Sequence, residues 1–176
     1  DNVQKDLSLF LVDRLKFYMK EKDIRYDIIE ASINSFSIDN VSKIYNKAIA
    51  LNKFIINSFG KDIITSYKRA SNILENELKS KELDLSNTTD PGIFKNDYEK
   101  NLYKKIHELR KYFTSINKDE DYQVTLGNLA DAKLTINEFF DNVIVNDEDQ
   151  SIKKNRLELL QMLCKTFDNY INFSNI

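Results

Sequence analysis

The chain has 176 residues, of which 41% are hydrophobic and 31% are charged, and its formal net charge is −2. This composition excludes intrinsic disorder and a membrane span, and the slightly negative charge disfavours nonspecific coating of nucleic acids, which relies on many phosphate contacts. With three glycines, one proline and one cysteine, the chain lacks the turn residues of β-sheet folds and the cysteines of a disulfide framework or cysteine-only metal site.

The chain begins at Asp1 rather than at a methionine, and no basic region followed by a short apolar core stands near that residue. A secretory signal is therefore not expected. We expect a cytoplasmic piece of a longer protein. We expect a chain of this length to form one domain, or one domain with a helical annex, that buries roughly 70% of its unfolded surface.

Apolar residues recur at three- and four-residue steps through the first third of the chain, which predicts three helices. The first is expected over roughly residues 3–21 and the second near 25–35. The third is expected to begin at a cap, Ser37 or Asp39, and to end at Gly60, since glycine commonly follows the last turn of a helix. The apolar positions of the first helix are Leu7, Phe10, Leu11, Leu15, Tyr18 and Met19.

The same spacing resumes at Lys61 and predicts a fourth helix that extends to about Leu78. It is followed by the only dense cluster of turn-forming residues in the sequence, Ser86–Gly92. We therefore expect a surface loop, or a seam between subdomains, at residues 79–93 of an otherwise single domain over residues 1–176.

Four more helices are predicted in the second half, at Tyr98–Ile116, at Asp121–Asp131, from about Lys133, and at about 149–171. The polar run Asn146–Asp149 precedes the last of them, where carboxylates cap the positive end of a helix dipole. The resulting prediction is an all-α bundle of about seven or eight helices.

Residues suited to catalysis are sparse. The sole histidine, His107, has no second histidine on its helix with which to bind a metal, and the sequence has no nucleophile elbow and no phosphate-binding glycine loop. Glu148 and Asp149 stand at a predicted helix start, so capping explains them better than acid–base chemistry. Their acidic run also lacks the ligand spacing and the glycine of a calcium loop. We expect no catalytic residue and no metal site.

A polar cluster in the fourth helix is the best candidate for binding. Arg69 and Asn72 are three residues apart, and Lys68 and Asn72 are four apart, so the three side chains converge on one side of the helix. Arginine and asparagine suit the edges and faces of unpaired bases, and lysine suits phosphate. Tyr67 and Phe10 are the aromatic residues that we first expect to stack on a base, provided that they are exposed.

A structural role, rather than RNA binding, is the alternative for an arginine in such a position. An arginine among apolar neighbours, such as Arg69, also serves to pair with a partly buried carboxylate and so to join two helices. Arg14 and Arg156 are further polar insertions in apolar stripes, and the same two interpretations apply to them.

Several motifs occur in order along nearly the whole chain. The segments that carry them are Phe10–Leu15, Asp27–Ala31, Lys68–Leu74, Asp90, Phe94, Glu99, Phe139–Val145, Glu148–Asp149, Asn155–Leu157 and Phe173–Ser174. Together they closely resemble the carboxy-terminal end of the β subunit of bacterial glycyl-tRNA synthetase, a DALR-type anticodon-binding domain. The chain departs from the family's pattern at Asn146 and at Ser32–Asn34.

The resemblance implies an all-helical anticodon-binding domain, of the type shared with arginyl-tRNA synthetase, attached to a much larger β subunit. It also implies that the α subunit activates glycine with ATP, that the two chains form a heterotetramer, and that this part of the enzyme holds no cofactor. The candidate contacts to the anticodon arm of tRNA(Gly) are then Lys68, Arg69, Asn72, Arg14, Arg156, Tyr67 and Phe10.

A rival hypothesis from another class is a helical module that contacts protein, such as the α subunit or the rest of the β subunit, and no RNA. A catalytic domain ranks third. Selective binding of glycine tRNA, compared with a tRNA of changed anticodon and measured across salt concentrations, separates RNA recognition from the structural role.

Overall fold

The computed structural model of the chain describes residues 2–33, 41–79, 85–86, 88–115, 122–169, 171, 173 and 176. Over these residues the backbone forms eight α-helices and one 3₁₀ turn, without strands. The helices are α1 (Asn2–Glu21), α2 (Tyr26–Ile33), α3 (Val41–Ile56), α4 (Ser58–Lys79), α5 (Asp97–Ser115), α6 (Tyr122–Asp131), α7 (Lys133–Asn142) and α8 (Gln150–Asp168), with the 3₁₀ turn at Pro91–Ile93. The predicted all-α fold is confirmed, whereas the caps expected at Ser37 and Asp39 lie outside the described residues.

The core is built around α8, which packs against both α4 and α5. Every residue from Asn155 to Leu160 is buried, because neighbouring helices enclose this part of α8. α4 also packs along α3, and α5 packs along α7. Phe139, Phe167 and Phe173 are among the fully buried side chains of this core. The packing holds α4, α7 and α8 in a fixed relation, and these helices carry the candidate site.

The junction of α3 and α4 differs from the prediction. α3 ends at Ile56, and Oδ1 of Asn57 accepts a hydrogen bond from the Phe59 N–H at 3.1 Å, which satisfies a free donor at the start of α4. Gly60 therefore lies inside the first turn of α4, and the prediction that it ends a helix is wrong. A Cβ atom at Gly60 would lie 2.0 Å from the carbonyl oxygen of Phe54, so glycine is needed here for close approach of the backbone.

α1 forms at the predicted position but buries less of its apolar surface than expected. It packs chiefly against α2 and α3, and among its described side chains the core members are Leu15 and Met19, both in its second half. Leu7, Phe10 and Leu11 are 56%, 54% and 42% exposed. Although this face is apolar, no described helix is long and apolar enough to cross a membrane.

The described residues from Leu85 to Asn96 are attached to α8 by hydrogen bonds. The backbone N–H and the hydroxyl of Ser86 donate to Oε1 of Glu158 at 2.9 and 2.5 Å. Asp90 caps the 3₁₀ turn, since its Oδ1 accepts from the Gly92 N–H at 2.8 Å. Polar side chains of α8 thus hold this part of the predicted loop against the core. A subdomain seam within residues 79–93 stays a prediction.

Candidate nucleic-acid interface

The polar cluster of α4 lies on the outer face of the helix. Lys68, Arg69 and Asn72 are exposed, whereas Ala70 and Leu74 on the opposite face are buried. The helical spacing therefore brings the three polar side chains together at the surface, as the sequence indicated. Contact between this cluster and RNA stays a prediction.

Arg69 rests on an aromatic ring and has no carboxylate partner among the described residues. Its guanidinium carbon lies 4.5 Å from the centre of the Phe140 ring, and its Nη2 donates a long hydrogen bond of 3.5 Å to the Phe140 carbonyl oxygen. A guanidinium has five N–H donors, so most of its hydrogen-bonding capacity is available to a ligand. The structural alternative for Arg69 was a buried ion pair between helices. Among the described residues, Arg69 forms no such pair.

A groove of about 440 Å³ opens beside Arg69, between α4, α7 and α8. Much of its lining is apolar and consists of Ile73, Phe140, Val143, Ile144, Val145 and Leu157. One wall is the loop between α7 and α8, whose Ile144 is 76% exposed. The polar residues that line the groove, besides Arg69, are Asn76, Glu77, Asn146 and Lys153. A hollow with a largely apolar lining and a few polar residues suits a flat, partly polar ligand.

Lys153 and Glu77 form an ion pair within the groove lining, at 2.7 Å, with side chains 15% and 21% exposed. This pair joins α8 to α4. Sequence reasoning missed both residues, because neither stands next to the polar cluster in the chain. The sequence did contain one signal for the site, the double-phenylalanine motif. Its Phe140 lies under the guanidinium of Arg69.

Tyr67 is a core residue rather than a stacking platform. Its side chain is 3% exposed, and its ring centre lies 5.6 Å from that of Phe173 and 6.4 Å from that of Phe167. Its hydroxyl donates to both carboxylate oxygens of Asp168, at 2.8 and 3.0 Å. The expectation that Tyr67 stacks on a base is therefore corrected, because the ring faces are covered by other rings.

Phe10 and Arg14 are exposed on α1, and neither lines the groove. The guanidinium carbon of Arg14 lies 5.4 Å from the centre of the Phe10 ring. The two residues thus form a local contact on their own helix. The structure does not bring them together with the cluster on α4, and their contact with RNA stays a prediction.

Arg156 is buried, with 5% of the residue exposed. Its Nε donates to Oε1 of Glu99 at 2.5 Å, and its Nη1 donates to Oδ2 of Asp147 at 2.6 Å and to the Ile144 carbonyl oxygen at 2.8 Å. The pKa of Asp147 is held below its usual range by a hydrogen bond from the Asp149 N–H and by the contact with Arg156. The prediction that Arg156 touches RNA is corrected, because acidic and carbonyl partners enclose it.

Asp149 caps α8, as predicted. Oδ1 of Asp149 accepts from the Ser151 N–H at 2.8 Å and from the Ile152 N–H at 3.4 Å. His107 is exposed on α5, with its ring centre 4.4 Å from that of Tyr103. In the part of the chain that the structure describes, no group of three or more His, Cys, Asp or Glu residues is placed to hold a metal ion.

Curated proteins with similar sequences match almost the whole chain. The β subunit of glycine–tRNA ligase from Rickettsia prowazekii (strain Madrid E) is 34% identical over 167 residues, which are 95% of this chain and 24% of that protein. The β subunit from Rickettsia felis (strain ATCC VR-1525 / URRWXCal2) is 34% identical over 177 residues, with 100% and 25% covered. That from Rickettsia bellii (strain OSU 85-389) is 36% identical over 173 residues, with 98% and 24% covered. The chain spans about a quarter of the length of these curated relatives.

A family profile matches the part of the chain that forms the groove. The profile describes the DALR anticodon binding domain, and it matches residues 63–176. This range contains every residue that lines the groove, together with the cluster on α4. It agrees with the resemblance carried by the sequence motifs and with the all-helical fold. Because the match covers well over half of the chain, the protein belongs to the DALR anticodon-binding domain family.

Proposed function

We propose that this chain binds the anticodon arm of a transfer RNA, with an unpaired base of the loop seated beside Arg69. The observation that carries the proposal is the exposed guanidinium of Arg69 next to an apolar groove, inside the region that matches the anticodon-binding family. Sequence-specific RNA recognition mostly uses splayed-out bases of loops, which require a surface for the base face and hydrogen-bonding groups at its edge. The groove offers both.

The polar side chains on and near the groove suit different parts of a nucleotide. The planar guanidinium of Arg69 stacks on a base or donates to its edge, and the amides of Asn72 and Asn146 both donate and accept. Lys68 carries a compact charge suited to phosphate. Since the net charge of the chain is −2, we expect few phosphate contacts, and binding should fall with salt less steeply than for a basic protein.

The relatives support a place for this chain in an aminoacyl-tRNA synthetase, since they are β subunits of glycine–tRNA ligase. In such an enzyme the chain would hold tRNA(Gly) so that its distant acceptor end meets the α subunit. The α subunit would use ATP to activate glycine, and this chain would hold no cofactor. Holding the tRNA makes the transfer a step within one complex, which removes part of the entropic barrier. The working enzyme would be a heterotetramer of α and β subunits.

A protein contact is favoured for α1 by a specific observation. Leu7, Phe10, Leu11, Phe17 and Tyr18 are exposed on this helix. α1 precedes the range matched by the family profile, whereas the β-subunit relatives match it too. A contiguous apolar face marks a protein interface more often than an RNA site. We propose that this face packs against another part of the parent enzyme, while the groove takes the RNA.

The test compares binding of the parent enzyme to tRNA(Gly) and to the same tRNA with an exchanged anticodon, by fluorescence anisotropy over a series of salt concentrations. We expect tighter binding to the natural anticodon at every salt concentration. A gel shift with the isolated chain gives the same comparison without the rest of the enzyme.

Equal binding of the two tRNAs by the parent enzyme would reject anticodon recognition. If substitutions on α1 disrupt assembly of the enzyme while no substitution near the groove changes tRNA binding, the chain is an interaction module. Glycine activation with ATP, measured without tRNA, serves as the control, since it should be unaffected by changes at the groove.

A further inference from the structure

The loop between α7 and α8 forms a wall of the groove, although it has no helix of its own to hold its shape. Ile144 and Asn146 are exposed in it. A main-chain hydrogen bond from the Asp147 N–H to the Val145 carbonyl oxygen, at 3.0 Å, tightens its middle but does not tie it to the core. Val143 and Val145 of the loop are buried in the core, so the placement of the exposed residues between and after them depends on how the intervening backbone is held.

Arg156 reaches the loop from α8. Its Nη1 donates to the Ile144 carbonyl oxygen at 2.8 Å and to Oδ2 of Asp147 at 2.6 Å, so it binds both halves of the loop. Its Nε donates to Glu99 at 2.5 Å, and Glu99 is itself fixed at the start of α5 because its Oε2 accepts from the Lys95 N–H at 2.6 Å. One buried guanidinium thus adds polar contacts between the wall of the groove and the core to the apolar packing of Val143 and Val145.

We propose that Arg156 is a positioning residue for RNA recognition, which fixes the α7–α8 loop so that Ile144 and Asn146 stand at the mouth of the groove. The proposal rests on the proposed function, and it assigns a role in recognition to a residue that RNA cannot touch. The contact with the Ile144 carbonyl oxygen is central, because it fixes the backbone from which both side chains extend. Separate Nε and Nη donors allow Arg156 to hold Glu99 and the loop at the same time.

Arg156→Lys tests whether the forked shape of the guanidinium matters in addition to its positive charge. Lysine keeps the positive charge but has a single nitrogen atom, so it cannot reproduce the fork that spans Glu99 and the loop. Asp147→Asn is a milder second variant, because it removes the carboxylate on the loop and leaves the Arg156–Glu99 pair in place. The Asp147 side chain is 30% exposed, so this change is compatible with folding.

The first measurement is amide hydrogen exchange of the loop in the absence of RNA. We expect the amides of residues 144–149 to exchange about tenfold faster in Arg156→Lys, because the loop opens locally when its anchor is lost. Leu51→Ala is the matched control, since it truncates a fully buried side chain of α3 and lowers stability away from the loop. We expect it to leave local exchange of the loop unchanged.

The second measurement is the ratio of the affinities of the parent enzyme for tRNA(Gly) and for the same tRNA with an exchanged anticodon. We expect Arg156→Lys to lower this ratio about tenfold, as loss of one specific base contact does. The salt dependence of binding should stay the same, because Lys68 still contacts phosphate. Asn146→Ala should add little to Arg156→Lys, since both changes act through the same loop.

Unchanged loop exchange, or an unchanged affinity ratio, in Arg156→Lys would overturn the positioning role even if the variant is less stable. If that variant does not fold, Asp147→Asn is measured instead. Because it leaves the contact with the Ile144 carbonyl oxygen in place, we expect loop exchange to rise and the affinity ratio to fall by less than in Arg156→Lys, and no change in either quantity would overturn the positioning role. A wild-type enzyme that binds both tRNAs equally would overturn the proposed function and with it the role in recognition. Loop exchange without RNA distinguishes the two failures, because it reports on the anchor alone.

Discussion

Asn155 and Asp90 hold each other through a two-way hydrogen bond. The Asp90 N–H donates to Oδ1 of Asn155 at 2.7 Å, and Nδ2 of Asn155 donates to the Asp90 carbonyl oxygen at 3.0 Å. The next residue of α8, Arg156, binds Glu99 in the same region. Adjacent polar residues of α8 thus bind the segment before α5 and the first turn of α5 from inside the molecule. Their burial removes Arg156 from the residues that can contact RNA directly.

Arg69→Ala should weaken binding of tRNA by the parent enzyme by about 1–3 kcal/mol, the usual value of an arginine that contacts a base. The reason is the loss of both the planar donor and the surface that it forms over Phe140. Arg69→Lys should lose most of the same affinity, since lysine keeps the charge but not the plane. Arg110→Ala, an exposed arginine of α5, is the control for loss of charge. Equal affinities of Arg69→Ala and wild type, measured by anisotropy, would remove Arg69 from the site.

Tyr67→Phe should lower the free energy of unfolding by about 1 kcal/mol, because it removes the hydrogen bond to Asp168 and retains the buried ring. Affinity for tRNA should not change. Urea unfolding and tRNA binding are measured on the same preparation, with the exposed Tyr98→Phe as control. Weaker tRNA binding without loss of stability would show that Tyr67 reaches the RNA after all.

Glu99→Gln should lower the free energy of unfolding by about 3–5 kcal/mol, because it leaves the buried guanidinium of Arg156 short of a charged partner. Replacing both residues, as in Glu99→Leu with Arg156→Met, should cost clearly less than the sum of the single changes. Lys100→Ala breaks an exposed ion pair with Asp97 and should change stability by less than about 1 kcal/mol. Additive effects in the double-mutant cycle would contradict direct coupling of Glu99 with Arg156.

Gly60→Ala should destabilise the protein by about 1–3 kcal/mol, because the added Cβ meets the backbone of Phe54 and the helices must move apart. Gly127→Ala in α6 is the matched control, since a Cβ there meets nothing within 4 Å. This change should stabilise by about 0.5–1 kcal/mol through helix propensity. Thermal unfolding of both variants distinguishes close approach from a general preference for glycine. Equal effects would contradict the packing argument.

Cys164 should make stability fall in alkaline solution. Burial, followed by the negative charge of Asp168, raises the pKa of its thiol from 9.0 to about 12. Between these values the thiol ionises in the unfolded chain but stays protonated in the folded one, so the free energy of unfolding falls as pH rises from 9.0 towards 12. Cys164→Ala should flatten this part of the stability–pH curve, measured by urea unfolding.

The burial of Cys164 should also slow the chemical modification of its thiol. In the folded protein iodoacetamide should modify the thiol much more slowly than in urea, because the thiolate is the reactive form and is disfavoured in the core. Mass spectrometry follows the reaction. Rapid modification under native conditions would mean that this end of α8 opens readily.

Much of the secondary structure follows from short-range patterns. The apolar spacing located α4 and α8 to within a few residues, and the carboxylate of Asp149 was recognised as a cap from its place before an apolar run. The exposure of Lys68, Arg69 and Asn72 also follows from spacing, because Ala70 and Leu74 turn the opposite face of the helix inward. At Gly60 the same reasoning failed, since an asparagine three residues earlier already ends the preceding helix.

Helix periodicity and caps act between residues a few positions apart, so the chain alone was enough to establish an all-α fold and the outward cluster on α4. The burial of Tyr67, the enclosure of Arg156 and the groove beside Arg69 arise from partners that are 101, 57 and 71 positions away. Which distant side chains meet is set by how the helices pack, and packing depends on the shapes of all the buried surfaces together. The sequence pattern of an arginine in an apolar stripe is therefore the same in both cases. Arg69 faces solvent, whereas Arg156 is buried and binds a loop from the interior.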